Sequence, residues 1–93
     1  MANIKSAKKR IRQTRVHTFR NRVRRSIART AVRRFMEALK AGDHDQAFVR
    51  LKYASGRLDR AAQKGAMHRN NAARKKSQIW RRYNQARNGA ASS

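Results

Sequence analysis

From residue 19 onward, large apolar side chains or alanine return every four positions, at Phe19, Val23, Ile27, Ala31, Phe35 and Leu39. At 100° per residue such a ladder drifts by about 40° per step yet stays on one broad side of a helix. A second stretch places Ala47 or Phe48, Leu51, Ala54, Leu58, and Ala61 or Ala62 at alternating spacings of three and four, a narrow seam suited to antiparallel helix packing. A third repeats the pattern more faintly with Ala72, Ala73, Ile79, Trp80, Tyr83 and Ala86. The alternation expected of strands is missing, and no Pro forbids helix at any position. The expected fold class is all-α: a three-helix bundle with an extended basic N-terminal helix.

Glycines punctuate the pattern. Gly42 follows the first periodic stretch, Asp43 is a plausible N-cap for the second, and Gly65 closes the second as Gly42 closes the first. The helices are expected at about 6–41, 44–64 and 68–87, in one domain spanning residues 1–93, with residues 88–93 as a fraying tail. Gly56 falls inside the second helix, where it costs about 1 kcal/mol relative to Ala. The sequence reading takes it as a mark of close helix approach.

The first helix, roughly 50 Å long at 1.5 Å per residue, far exceeds its companions. Before Phe19 its ladder is nearly empty, and Lys5, Lys8, Lys9, Arg10, Arg12 and Arg15 point in most directions around the axis. No protein core accommodates such an arrangement, so this end is expected to project and to be surrounded by phosphate. Opposite the ladder, Lys8, Arg15, Arg22 and Arg29 recur every seven residues, and Arg33 and Lys40 continue the row. A solvated face is the ordinary fate of such a ridge. Here residues 1–36 contain no acid to balance it, which favours contact with a polyanion.

Composition narrows the partner further. Of 93 residues, 26 are Lys or Arg and four are acidic, a formal charge of +22. Leu, Ile, Val and Phe together number 14, which excludes a two-domain protein and an enzyme built around a large buried pocket. So many like charges repel one another in a compact state, and a polyanion is the expected stabilising partner. Nucleic acid fits best. An anionic membrane fits less well, because residues 1–15 hold only Ile4 and Ile11 as large aliphatics and the longest apolar run is Ala47 to Val49. With no signal-like segment, the chain is expected to work where it is made, in a cytosol.

Catalytic chemistry has little to draw on. Glu37, Asp43, Asp45 and Asp59 lie in the middle segment, where capping and ion pairing account for them. His17, His44 and His68 lack the spacing of a metal motif, Cys is absent, and no phosphate-binding glycine loop occurs, so no enzyme activity, metal, cofactor or small-molecule substrate is expected. Five of the six aromatic residues fall on apolar faces, leaving Tyr53 off its seam, and core packing accounts for the five better than base stacking. Recognition is therefore expected to rest on backbone shape and phosphate position, through Arg forks and Lys point charges. The densest donor cluster is His68, Arg69, Asn70, Asn71, Arg74, Lys75, Lys76 and Ser77, at the start of the third helix. Its asparagines can read sugar hydroxyls or base edges; alternatively Asn70 or Asn71 only caps the helix.

The opening MANIKSAKKRIRQ, the central AGD and the later LDRAAQKGAMHRNNAARKKS resemble the bacterial small-subunit ribosomal proteins of the S-twenty family, over nearly the whole chain to about Asn84. The resemblance implies a three-helix primary binder of small-subunit (16S-type) ribosomal RNA, a structural constituent of the subunit located at the foot of its body in the cytoplasm, with other small-subunit proteins as candidate partners. It matches Lys5, Ser6, Lys8, Lys9 and Arg10 to the family's N-terminal RNA-binding stretch, and His68, Asn70, Ala72, Ala73, Arg74, Lys76 and Ser77 to its third-helix signature. Gln78 and Ile79 depart from the usual Arg and Leu, and Ala66 from a larger aliphatic. The principal rival is a nucleoid-type DNA-binding protein, which would share the charge. The wedge-bearing β-arm that would favour it is not visible.

Overall fold

The computed structural model describes the backbone of residues 2–92 and the side chains of residues 7–89. Among the described residues are three helices and no strand: α1 (Ala2–Lys40), α2 (His44–Gln63) and α3 (Arg69–Ser92). α1 begins nearer the N-terminus than the expected residue 6, and α3 continues past residue 87. Nothing between Arg69 and Ser92 breaks a helix except Gly89, which Ala90 and Ala91, the best helix formers, immediately follow.

The two turns are built alike. At the end of α1, the Gly42 N–H donates to the Leu39 carbonyl and the Asp43 N–H to the Ala38 carbonyl; at the end of α2, Gly65 donates to Ala62 and Ala66 to Ala61. These paired bonds satisfy carbonyls that a helix end would otherwise orphan, and they require the left-handed backbone of Gly42 (φ +82°) and Gly65 (φ +77°). The Asp43 side chain then accepts the Gln46 N–H at 3.1 Å and caps α2. At α3 the capping residue is His68: its carbonyl accepts the Ala72 N–H and its ring Nδ1 accepts the Asn70 N–H at 3.2 Å. The cap is thus neither Asn70 nor Asn71, and both amide side chains lie outside it.

α2 is the central element. It packs along both neighbours, whereas α1 and α3 scarcely touch each other. Its buried face alternates small and large, with Ala47, Ala54 and Ala61 seven apart and Leu51 and Leu58 between them. α1 contributes Ala28, Ala31 and Phe35 to the core, α3 contributes Ala72, Ile79 and Tyr83, and the connection adds Ala66 and Met67. On the α2–α3 side, the Phe48 ring meets Trp80 edge-on at 6.4 Å and Tyr83 at 5.6 Å, and Trp80 Nε1 donates to the buried Ser55 hydroxyl at 2.8 Å. That bond pairs two polar groups that would be costly to leave unpaired at a packed interface.

Two sequence expectations are corrected here. The apolar ladder of α1 enters the core only from Ala31 onward, with Ala28 beside it; Phe19 is 65% exposed and Val23 39%. The 40° drift per step has carried Phe19 about 160° around the helix from Phe35. In addition α2, about 30 Å long, folds back along only half of α1's roughly 58 Å and ends short of Phe19. Gly56, in turn, marks no close approach. It is exposed, and a Cβ built there meets nothing within 4 Å. Gly56→Ala should accordingly stabilise the bundle by about 0.5–1 kcal/mol, from backbone entropy alone. Urea denaturation followed by circular dichroism measures this, and a loss of stability would restore the close-approach reading.

Candidate nucleic-acid interface

Every described side chain from Ala7 to Arg20 is exposed, including Lys8, Lys9, Arg10, Arg12 and Arg15. They ring a helix with no protein against it. The side chains of Lys5 and Ser6, also expected at this site, lie outside the described residues. Farther along, Arg22, Arg29 and Arg33 are exposed; Arg22 and Arg33 lie on the side of α1 away from the core, and Arg29 lies at the edge of that side, beside the groove toward α3. Arg33 is less free than its neighbours, because Glu37 lies one turn on with its carboxylate 3.8 Å from the guanidinium. Both partners are well exposed, so the pair contributes at most about 1 kcal/mol.

The cluster at the start of α3 divides three ways. Asn70 and Arg74, four residues apart, are exposed on the face opposite the buried Ala72 and Ile79, and Ser77, three further on, is exposed at the edge of that face beside the α2–α3 groove. Arg81 continues this row one turn beyond Ser77 and is exposed as well; the sequence reading missed it, although its seven-residue spacing from Arg74 was the available signal. Lys75 points instead toward α1. With Arg29, Val32, Leu58 and Gln78 it lines the groove between the two helices, so the ridge of α1 and the cluster of α3 converge there. Lys76 faces α2 and donates to both carboxylate oxygens of Asp59, at 3.0 and 3.1 Å. Arg69 and Ser77 line the same α2–α3 groove. Lys76 thereby has a structural partner that the sequence did not reveal, whereas Arg74 and the Asn70 side chain have none among the described residues.

A further cationic surface lies on the outer face of α2. Lys52, Tyr53, Arg57 and Arg60 surround the bare backbone of Gly56 in a shallow basin. The Arg57 guanidinium stacks 5.2 Å from the Tyr53 ring centre while its Nε donates to the Tyr53 hydroxyl at 3.0 Å. Acids are taken up elsewhere: Asp43 caps α2, Asp45 lies in the first turn where the helix dipole favours a negative charge, and Glu37 and Asp59 form the two ion pairs found among the described residues. Among the described residues no three His, Asp or Glu side chains gather as a metal site, and no helix is long and apolar enough to cross a membrane. The geometry is that of a small core whose outer faces offer nitrogen donors in nearly every direction.

Comparison with known proteins assigns this arrangement. The family model described as Ribosomal protein S20 matches residues 2–84. The chain belongs to the ribosomal protein S20 family. The matched segment contains all of α1 and α2 and two thirds of α3, hence every residue from Lys5 to Ser77 considered above. Similar curated proteins include the small ribosomal subunit protein bS20 of Nocardia farcinica, 53% identical over 79 residues covering 85% of this chain and 92% of the relative. Those of Pelotomaculum thermopropionicum and Thermobifida fusca are 46% identical over 84 residues (90% and 96% covered) and 44% identical over 91 residues (98% and 99% covered). The S20-family chain therefore aligns with its relatives nearly end to end, projecting half-helix included.

Proposed function

We propose that this chain is a non-enzymatic structural constituent of the small ribosomal subunit in the cytoplasm, where it binds and stabilises small-subunit ribosomal RNA beside other proteins of that subunit. The observation that carries the reading is the bare half of α1, whose described cations, Lys8 to Arg15, face most directions with no acid in the segment and no protein surface against them among the described residues. Only a partner that surrounds the helix with negative charge can satisfy it. The relatives' name, small ribosomal subunit protein, supports RNA of that subunit as the polyanion. Sedimentation tests this: tagged chain should travel with small subunits in a gradient, and comigration with bulk DNA would favour the nucleoid-type reading instead.

Within this reading the surfaces divide their work. Lys8, Lys9, Arg10, Arg12 and Arg15, with Lys5 and Ser6 beyond them, engage phosphates around α1, and Arg22, Arg29 and Arg33 extend that contact along one side. The outward face of α3 with Asn70, Arg74 and Ser77 docks a particular RNA shape, flanked by His68, Arg69 and Lys75. Lys76, held by Asp59, contributes through its position in the bundle as well as its charge.

Arg74→Ala should cost about 1–3 kcal/mol in binding to cognate RNA and much less on an unrelated duplex, because it leaves a specific partner group unpaired. Asn70→Ala should follow the same pattern. Arg22→Ala should cost under about 1 kcal/mol and weaken both RNAs alike, since a phosphate contact carries no sequence information. Filter binding of each variant to both RNAs makes the comparison, with helicity checked first. Equal losses on the two RNAs for all three changes would withdraw the docking role from α3.

A further inference from the structure

Phosphate contacts leave one feature of α1 unaccounted for. Val16, Phe19 and Val23, 45%, 65% and 39% exposed, form an apolar stripe on the projecting half of the helix. By helical spacing the stripe is about 60° wide and runs about 10 Å along the axis. Arg15 and Arg22 border it on one side and Arg20 on the other, while Arg12 heads it one turn before Val16. A contiguous exposed apolar patch rimmed by charged residues is the form an interaction surface takes. Here the border decides what kind of contact, because residues 1–36 hold 13 cations and no acid, which attract a polyanion and repel a positively charged protein.

We infer that this stripe packs against the riboses of an RNA minor groove, with the flanking arginines reaching the phosphates on its two rims. The inference rests on the RNA-binding reading and deepens it. A-form RNA presents a wide, shallow minor groove lined by sugars, a surface a helix face can meet, whereas its major groove is too deep and narrow. The riboses lie between the base edges of that groove and the phosphates at its rims, so a stripe seated on the sugars brings the cations along its borders within reach of phosphate. Two of the three side chains are valines, which cannot stack on a base, so sugar packing and not intercalation is the contact. This half of α1 thus adds an apolar contribution to a surface that composition alone reads as purely electrostatic.

The two kinds of contact separate by salt. Removing an apolar group changes affinity without changing the number of counterions released, whereas removing a phosphate-bound cation lowers the slope of log K against log salt. Phe19→Ala should weaken binding to naked small-subunit RNA about tenfold, by the area it withdraws from water, at every salt concentration and with an unchanged slope. Arg15→Ala should lower the slope by about 0.7–0.9. Phe19→Leu should retain most of the affinity. Because Phe19 is largely exposed and Ala is the better helix former, loss of folding cannot account for the weaker binding of Phe19→Ala. Unchanged affinity of Phe19→Ala for an RNA that wild-type chain still binds would overturn this inference alone. A Phe19→Leu loss as large as that of Phe19→Ala would replace sugar packing by base stacking and overturn it too. A wild-type chain that fails to bind the RNA would overturn the functional reading, and this inference with it.

Discussion

Raising monovalent salt from 50 to 200 mM at constant magnesium is expected to weaken binding of this chain to small-subunit ribosomal RNA by on the order of 10³ to 10⁵, somewhat less where the contacted RNA is single-stranded. The range follows from neutralising roughly six to ten phosphates, each of which releases condensed counterions when a Lys or Arg replaces them. The structure supplies more than enough candidates. Of the cations with described side chains, Arg33 and Lys76 alone have a carboxylate within ion-pair reach, and the rest of the ridge, the free half of α1 and the outer face of α3 are unpaired by acid. Magnesium is held fixed because it folds the RNA and would otherwise alter the target along with the contact. A flat profile measured by filter binding would reject an electrostatic interface and with it the role given to residues 8–15.

The second large effect concerns stability. Phe35→Ala is expected to destabilise the bundle by about 3–5 kcal/mol, from lost apolar transfer and the cavity left behind. Phe35, Leu51 and Leu58 are the largest fully buried side chains among the described residues, and the rest of the core is dominated by alanine. Against a typical total of about 5–15 kcal/mol, with small domains at the lower end, that loss leaves little cooperative tertiary structure. Phe19→Ala, by contrast, should change stability by less than about 0.5 kcal/mol, since its ring faces solvent. Urea denaturation of the two variants decides the point. Similar losses would mean that the packed interface extends along α1 well before Ala28.

Those two phenylalanines also show how far the sequence could be read. Both occupy rungs of one four-residue ladder, but its drift sets them about 160° apart around the helix, and the length of α2 determines where α1 ceases to have a neighbour. The turns were legible because Gly42 and Gly65 are followed by residues suited to a new element, and left-handed backbone has few other occupants. The central seam was legible because Leu51 and Leu58 stand out among alanines. By contrast, the ion pair of Lys76 with Asp59 and the bond of Trp80 to Ser55 join residues 17 and 25 positions apart, and no local pattern encodes such pairings. His68 reads as one more donor in a basic cluster until its ring is seen accepting the Asn70 N–H. The basin around Gly56 was missed because a glycine within a helix is ambiguous between tight packing and open backbone, and only three-dimensional surroundings distinguish them.

The shape of α1 carries a mechanical consequence. A compact chain of 93 residues has a radius of gyration of about 12 Å, whereas this one reaches 18.4 Å and extends 73 Å along its longest axis. Most of that length is one continuous helix, without proline and without an internal glycine between Ala2 and Lys40. Such a rod behaves as a spacer of fixed length: if RNA is gripped at its far end and at the bundle, as proposed, the two grips are held at a set separation, and twisting one relative to the other is resisted by the helix itself. Excising seven residues from its free half would preserve the facing of the remaining side chains to within about 20° while drawing the two grips together by about 10 Å. RNA folding would then have to accommodate a strut two turns shorter, a defect of distance with the chemistry of each grip left intact.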